Sequence, residues 1–310
     1  MLEPASITDG AVGSADQKGL NVNSSPKRSF QKLLRIILST PSGVVGFGVV
    51  AAHVVVALIA PAIVLHDPLA QDPNQIMAAP SWTHPFGTDL LGRDVLSRTL
   101  EGGRVAIAVT ALSALLALIG GAAIGITAAM RGGWFDSLTM RLVESIGALP
   151  YLLFLLVLAN AFPGSAFALV PALAIFYSTS IVRVSRAAAL SVASADFVTA
   201  ARVRGEKAIT VLLREVLPNV LDVVLVDGAL RWASMLLGFS SLSFLGFGVA
   251  PPTPDWGLMI SDARNVMAIA PWAVFWPCVA LSTLILGAIF LADAASKAVG
   301  LQRAPEGLNP

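Results

Sequence analysis

Residues 196–219 read DFVTAARVRGEKAITVLLREVLPN and carry Asp196, Arg202, Arg204, Glu206, Lys207, Arg214 and Glu215. They sit in the middle of a chain that is 56% hydrophobic, with a mean hydropathy of +0.78. Only 13% of the 310 residues are charged, about half of the roughly 25% usual for soluble domains. Such a composition reads as a membrane protein, and a stretch this polar must lie outside the hydrocarbon. Helix-compatible residues fill 196–204, and Gly205 can supply the left-handed conformation that ends a helix. A second helical piece, EKAITVLLREV, then runs to Pro218, which is read as its stop. Phe197, Ala200, Ala201 and Arg204 recur at spacings of three and four, placing an aromatic knob, two small residues and a cation on nearly one face. That face can enter a groove on a soluble protein, although an ordinary solvated loop is the plainer alternative.

Working outward, the apolar runs predict an all-α membrane protein of six transmembrane helices, at 43–65, 104–129, 142–162, 166–189, 220–247 and 271–295. Each approaches or exceeds the ~20 residues that cross a bilayer. Residues 1–26, rich in Ser, Gly, Asn and Ala without apolar periodicity, predict a disordered tail. Lys27, Arg28, Lys32 and Arg35 lead into the first span, which reads as uncleaved rather than as a signal peptide. With the N-terminus inside, 15 Lys and Arg fall on inner segments and 4 on outer ones, Arg231 lying within a span. The positive-inside rule therefore places both termini in the cytoplasm, and 196–219 with them. The net charge of +1 offers no basic excess to a nucleic acid. The single cysteine, Cys278, can form neither an internal disulfide nor a multi-cysteine metal site.

Three further features carry chemistry. Small residues crowd LIGGAAIGITAAM (118–130) and RAAALSVASA (186–195), permitting the close backbone approach on which helix packing in lipid depends. In HPFGTDLLGRDVLSR (84–98), Asp89 with Arg93 and Asp94 with Arg98 stand four apart with the acid first. That spacing predicts a short amphipathic helix at the outer lip. Its companion GVAPPTPDWG (248–257) combines helix-breaking prolines with Trp256, suited to a membrane boundary. Within the fifth span, Asp227 and Arg231 are one helical turn apart, with Arg231 roughly 16 Å from the start of the span, near mid-membrane. Ionised groups at that depth cost about 2.5–3.5 kcal/mol each on insertion scales and normally face a partner or a water-filled cavity. They either line a pathway or form a locked pair at a helix contact. His53, His66 and His84 are scattered, with no HExxH or GxSxG, so no catalytic or metal-ligating set is read; nor is there a Walker motif for ATP hydrolysis.

These stretches carry a resemblance. Thr199-Ala200-Ala201, then Gly205, then Leu217-Pro218, resembles the Glu-Ala-Ala…Gly…Leu-Pro loop of permease subunits in binding-protein-dependent ATP-binding-cassette importers, with Thr199 standing where that family usually has Glu. The 84–98 stretch and SLSFLGFGVAPPTPDWG (241–257) resemble the second permease of dipeptide, oligopeptide and nickel importers. There, peptide-type members often place a Glu near the position of Phe239. The resemblance covers about residues 30–300. It implies a type I importer permease (MetI-like) fold, with 27–103 an N-terminal region holding the first span, 104–299 the permease domain, and 300–310 a cytoplasmic tail. It also implies that Asp196, Phe197, Thr199, Ala200, Ala201, Arg204, Gly205, Leu217 and Pro218 form an ATPase-coupling loop. Asp89, Arg93, Asp94 and Trp256 would form an outer lip near the binding protein or the pathway mouth. The implied partners, besides membrane lipid, are a second permease, two cytoplasmic ATPases and a substrate-binding protein. No cofactor and no enzymatic activity of its own are expected. The cargo is left open among a dipeptide, a longer peptide, a glutathione-like or sugar-linked peptide, and nickel. A self-contained secondary carrier or channel is the alternative, against which the want of a clear internal repeat counts.

Overall fold

The computed structural model describes residues 38–161 and 165–301. The expected tail at 1–26, its basic lead-in and the end of the chain lie outside the described residues. Among those described, the fold is helical without strands, apart from one isolated bridge between Thr88 and Asp94. The long helices are α1 (Pro41–Ile63), α2 (Val95–Arg131), α5 (Leu169–Ala193), α8 (Leu217–Phe244) and α10 (Trp272–Leu301). Shorter ones are α3 (Gly133–Gly147), α4 (Tyr151–Ala161), α6 (Asp196–Val203), α7 (Ala208–Val211) and α9 (Trp256–Ala263).

α1, α2, α10 and the α5 region are each long and apolar enough to cross a membrane. The expected third span is broken: α3 and α4 are apolar enough only as a pair and are bent by 88°. Pro150 explains the break, because it lacks a backbone N–H and disfavours helical geometry in the residue before it. α8 has 28 residues, about 42 Å of helix, but Asp222, Asp227 and Arg231 interrupt its apolar character. Six crossings are consistent with this set.

Close packing follows the glycines. α2 and α5 meet where Gly121 lies against Ile181 and the Ser178 carbonyl, and where Gly125 lies against Ser185 and the backbone of Val182. Ser185 Oγ–H donates across that seam to the Gly121 carbonyl at 3.3 Å. α8 joins them through Gly228 against Leu118 and Gly238 against the Tyr177 hydroxyl, which donates to the Ser234 carbonyl at 2.9 Å. On the other flank, Gly46 of α1 meets the α10 backbone at Gly287 and Phe290. Without a hydrophobic driving force between helices in lipid, such backbone proximity supplies the dispersion contacts that hold them. The apolar windows of α1 and α10 are only 22% buried within the chain, leaving most of their surface for lipid or another subunit.

Candidate functional site

The polar stretch folds as a short helix, a turn and a second helical run that does not stop where expected. α6 ends at Val203 with Arg204 as its C-cap, and Gly205 follows with φ +80°, the left-handed geometry anticipated for it. After α7, a wide π turn at Leu212–Val216 leads without interruption into α8. Pro218 is the second residue of α8, just past the π turn and inside this continuous run, so it does not stop the helix. The single face read for Phe197, Ala200, Ala201 and Arg204 is also corrected. Ala201 and Val198 are fully buried and join the core with Val211 and Val216, while Phe197 packs against that core. Thr199, Ala200, Arg202 and Arg204 point outward, and Val203 is 82% exposed. The reason is the helical period: Ala201 lies three residues after Val198, so the two share the buried stripe, whereas Ala200 and Val203 share the opposite one. Ile209 and Leu213 extend the exposed apolar surface of this unit. On the turn itself, Arg204 donates to Glu206 Oε1 from Nη2 at 2.8 Å.

Asp89, Arg93 and Asp94, expected at the outer lip, are brought together in one turn, but not on the helix predicted for 84–98. Thr88 to Asp94 is a tight turn in which Asp89 Oδ1 accepts from the N–H groups of Leu91 and Arg93, at 2.8 and 3.0 Å. Gly87 and Gly92 carry φ of +70° and +71°, conformations that favour glycine and that no helix contains. Asp89 and Arg93 do pair, Nε to Oδ2 at 2.7 Å. The Asp94–Arg98 pair does not form. Asp94 instead caps α2, accepting from the Ser97 N–H at 2.8 Å. Arg98, 1% exposed, turns to Asp89 at 3.6 Å and to the Pro68 carbonyl at 3.0 Å. Capping outcompetes the i, i+4 pair because Asp94 precedes the helix, where its carboxylate satisfies orphan N–H groups.

Trp256 is buried within the bundle rather than presented on its surface. It is 3% exposed, fills the space over Gly102 and Gly103, and donates from Nε1 to the Thr99 carbonyl at 2.8 Å. Asp255, fully buried, caps α9 through the Leu258 N–H at 3.1 Å. Burial pushes its carboxyl above the usual carboxylate range, against hydrogen bonds from Ser243, Leu258 and Gly257. In sequence nothing distinguishes this aspartate from a loop residue, since it follows three prolines within five positions.

The polar pair of α8 forms as the spacing suggested. Arg231 reaches Asp227 Oδ1 from Nε at 3.3 Å and from Nη2 at 3.2 Å. The arginine side chain is 33% exposed and the aspartate 11%, so the pair sits at the edge of the packed bundle rather than sealed within it. Asp227 Oδ2 is buried with no hydrogen-bond partner among the described residues. Farther along α8, a cavity of about 360 Å³ is lined by Leu152, Leu237, Ser240, Ser241, Phe244 and Ile260 among others. The histidines, scattered in sequence, are not all scattered in space: the rings of His66 and His84 lie with centroids 4.6 Å apart, tilted by 31°. His53 separately binds the Ala280 carbonyl of α10 through Nε2 at 3.1 Å.

The chain is thus a bundle of long apolar helices with a short, partly exposed polar helix between two of them. Residues 121–299 match the family described as the binding-protein-dependent transport system inner membrane component. The chain belongs to this family. A relative from Brucella suis biovar 1, which carries a peptide-permease name, is 38% identical over 218 residues, covering 70% of this chain and 72% of its own. The di/tripeptide transport system permease protein of Pseudomonas aeruginosa is 33% identical over 243 residues, 76% of this chain and 80% of its own. The dipeptide transport system permease protein of Haemophilus influenzae is 29% identical over 274 residues, 86% and 93% respectively. As a permease of this family the chain is a multi-pass membrane protein whose work is transport.

Proposed function

We propose that this chain is one of two related permease subunits that together form the transmembrane pathway of a peptide importer driven by ATP hydrolysis on cytoplasmic partners. The observation that carries the reading is the split character of α6. Its inner face, Val198 and Ala201, is fixed in the core, while Thr199, Ala200 and Val203 are presented outward. A helix held that rigidly transmits a push from a docked ATPase to the bundle, since α6 and α7 lead through the π turn directly into α8. Thr199, at the position where the resembled loop has Glu, makes this contact less dependent on charge and more on the shape of Ala200 and Val203. Both termini lie in the cytoplasm of the inner membrane on this reading, and the Asp89 to Trp256 lip faces the binding protein.

Peptides are the cargo favoured by the names of the Brucella, Pseudomonas and Haemophilus relatives. Arg231 supplies a cation at mid-membrane that suits a peptide carboxylate, and Asp227 supplies an anion that suits its amino terminus. A change between outward-open and inward-open states requires that ATP and substrate bind the two states unequally. The test is reconstitution of this chain with its neighbouring permease, ATPase and binding-protein gene products in proteoliposomes, followed by uptake of a labelled dipeptide. ATP-dependent accumulation that vanishes when this chain is left out supports the proposal. Uptake without ATP or without the binding protein contradicts it.

A further inference from the structure

We infer that His66, His84 and Asp94 form a binding site for a late first-row divalent cation such as Zn²⁺, which staples the chain leaving α1 to the start of α2. His66 lies three residues after α1, His84 in the turn before Thr88, and Asp94 at the cap of α2. One ligand atom from each falls within 4.8 Å of the other two. Both imidazoles face the same carboxylate through Nδ1, His84 at 2.9 Å from Oδ1 and His66 at 3.9 Å from Oδ2. Tetrahedral zinc holds N and O ligands at about 2.0–2.2 Å, which separates neighbouring ligand atoms by roughly 3.3 Å. The two observed separations bracket that value, so a cation enters with small side-chain shifts.

The carboxylate is already held in place. Asp94 is 2% exposed, and its Oδ2 accepts from both the N–H and the Oγ–H of Ser97, at 2.8 and 2.7 Å. Ser97 Oγ in turn accepts the His66 N–H at 3.2 Å, tethering the first histidine to the same turn. Ligands oriented by such outer contacts lose little freedom on binding a metal. The flanking arginines are engaged elsewhere: Arg93 pairs with Asp89, and Arg98 turns to Asp89 and the Pro68 carbonyl. The His66 side chain is 41% exposed and that of His84 16%, which gives the ion an entry path and leaves room for water as a further ligand. Two neutral imidazoles and one carboxylate suit zinc, cobalt or nickel and not magnesium or calcium.

The experiment uses the full-length chain with the subunits that co-purify with it, isolated through a tag free of histidine, stripped with chelator and kept free of nucleotide. Co²⁺ is the probe, read by its visible absorption, with Zn²⁺ competing. The parent should bind Co²⁺ and give the intense bands of a low-coordinate site. His66→Ala, which removes an exposed ring and leaves the Asp94 cap intact, should weaken that binding by about tenfold or more. His66→Cys should restore it and add a thiolate-to-cobalt charge-transfer band, while His53→Ala leaves it unchanged. A parent that binds no Co²⁺, or a His66→Ala protein that binds as the parent does, overturns the inference.

Discussion

Arg231→Met leaves the Asp227 carboxylate without its counter-charge in a place that already denies one of its oxygens a hydrogen bond. The guanidinium now approaches Oδ1 at 3.2 and 3.3 Å, and the aspartate side chain is only 11% exposed. An unpaired charge near mid-membrane costs about 2.5–3.5 kcal/mol on insertion scales. Because the arginine is one-third exposed, part of the pairing energy is screened, and we expect a loss of roughly 2 kcal/mol, close to a 30-fold fall in the folded-to-unfolded ratio. The double change Asp227→Asn with Arg231→Met removes both charges while keeping similar side-chain lengths, so it should return to within about 1 kcal/mol of the parent. The two single changes should therefore couple by about 1 kcal/mol or more. Thermal unfolding of the detergent-purified complex measures this cycle, and strictly additive effects would refute the pairing argument. The same double variant separates structure from transport. It should assemble and keep the ATPase activity of the complex without substrate, yet lose peptide uptake. Normal uptake would remove Asp227 and Arg231 from the pathway.

Neighbouring alanines in α6 should behave oppositely. Ala201→Trp overpacks a fully buried site and should lower stability by about 1–3 kcal/mol, whereas Ala200→Trp should leave the melting temperature nearly unchanged but abolish co-purification with the ATPase. At the α2–α5 seam, Gly125→Ala forces a methyl against the Val182 carbonyl and Ser185 and should destabilise by roughly 1–3 kcal/mol. Gly120→Ala, which meets nothing within 4 Å, should be neutral or stabilising in the same unfolding assay. The raised Asp255 pKa means that the folded state holds this proton more tightly than the unfolded one. Its stabilising effect is thus fully present below the ordinary carboxylate pKa of about 3.9 and is lost as pH rises through the folded value. Asp255→Asn keeps the capping oxygen without the ionisation, so its stability relative to the parent should grow with pH across that window; a pH-independent difference would contradict the assignment.

Much of this was legible in the sequence because the strongest signals are local. Apolar runs announced the spans, Gly205 announced its turn, and the i, i+4 spacing announced the Asp227–Arg231 pair. The failures share a physical cause. Asp89, Arg93, Asp94 and Arg98 satisfy the spacing of a helical ion-pair ladder as well as that of a turn followed by a cap. Only the positive φ at Gly87 and Gly92, and the competition for the first N–H groups of α2, decide between them. Pro218 is equally at home after a helix or in its first turn, and the π segment before it is invisible in composition. Ala200 and Ala201 are identical residues, so which of them meets the core depends on Val198 and on a bundle built from distant segments. His66, His84 and Asp94 meet only because the 64–94 segment folds back onto α2, a long-range event without a short-range signature.

Val203, exposed and on the face opposite Ala201, is the position that tests the docking role of α6 most directly. A Val203→Cys chain in a Cys278→Ser background, carrying a short thiol-reactive photo-crosslinker, should attach to the ATPase subunit in inside-out vesicles. The yield should change between nucleotide-free and ATP-bound conditions, and an impermeant thiol reagent should reach the residue only from the cytoplasmic side. Labelling from the opposite side, or a crosslink pattern that never includes the ATPase, would contradict the account.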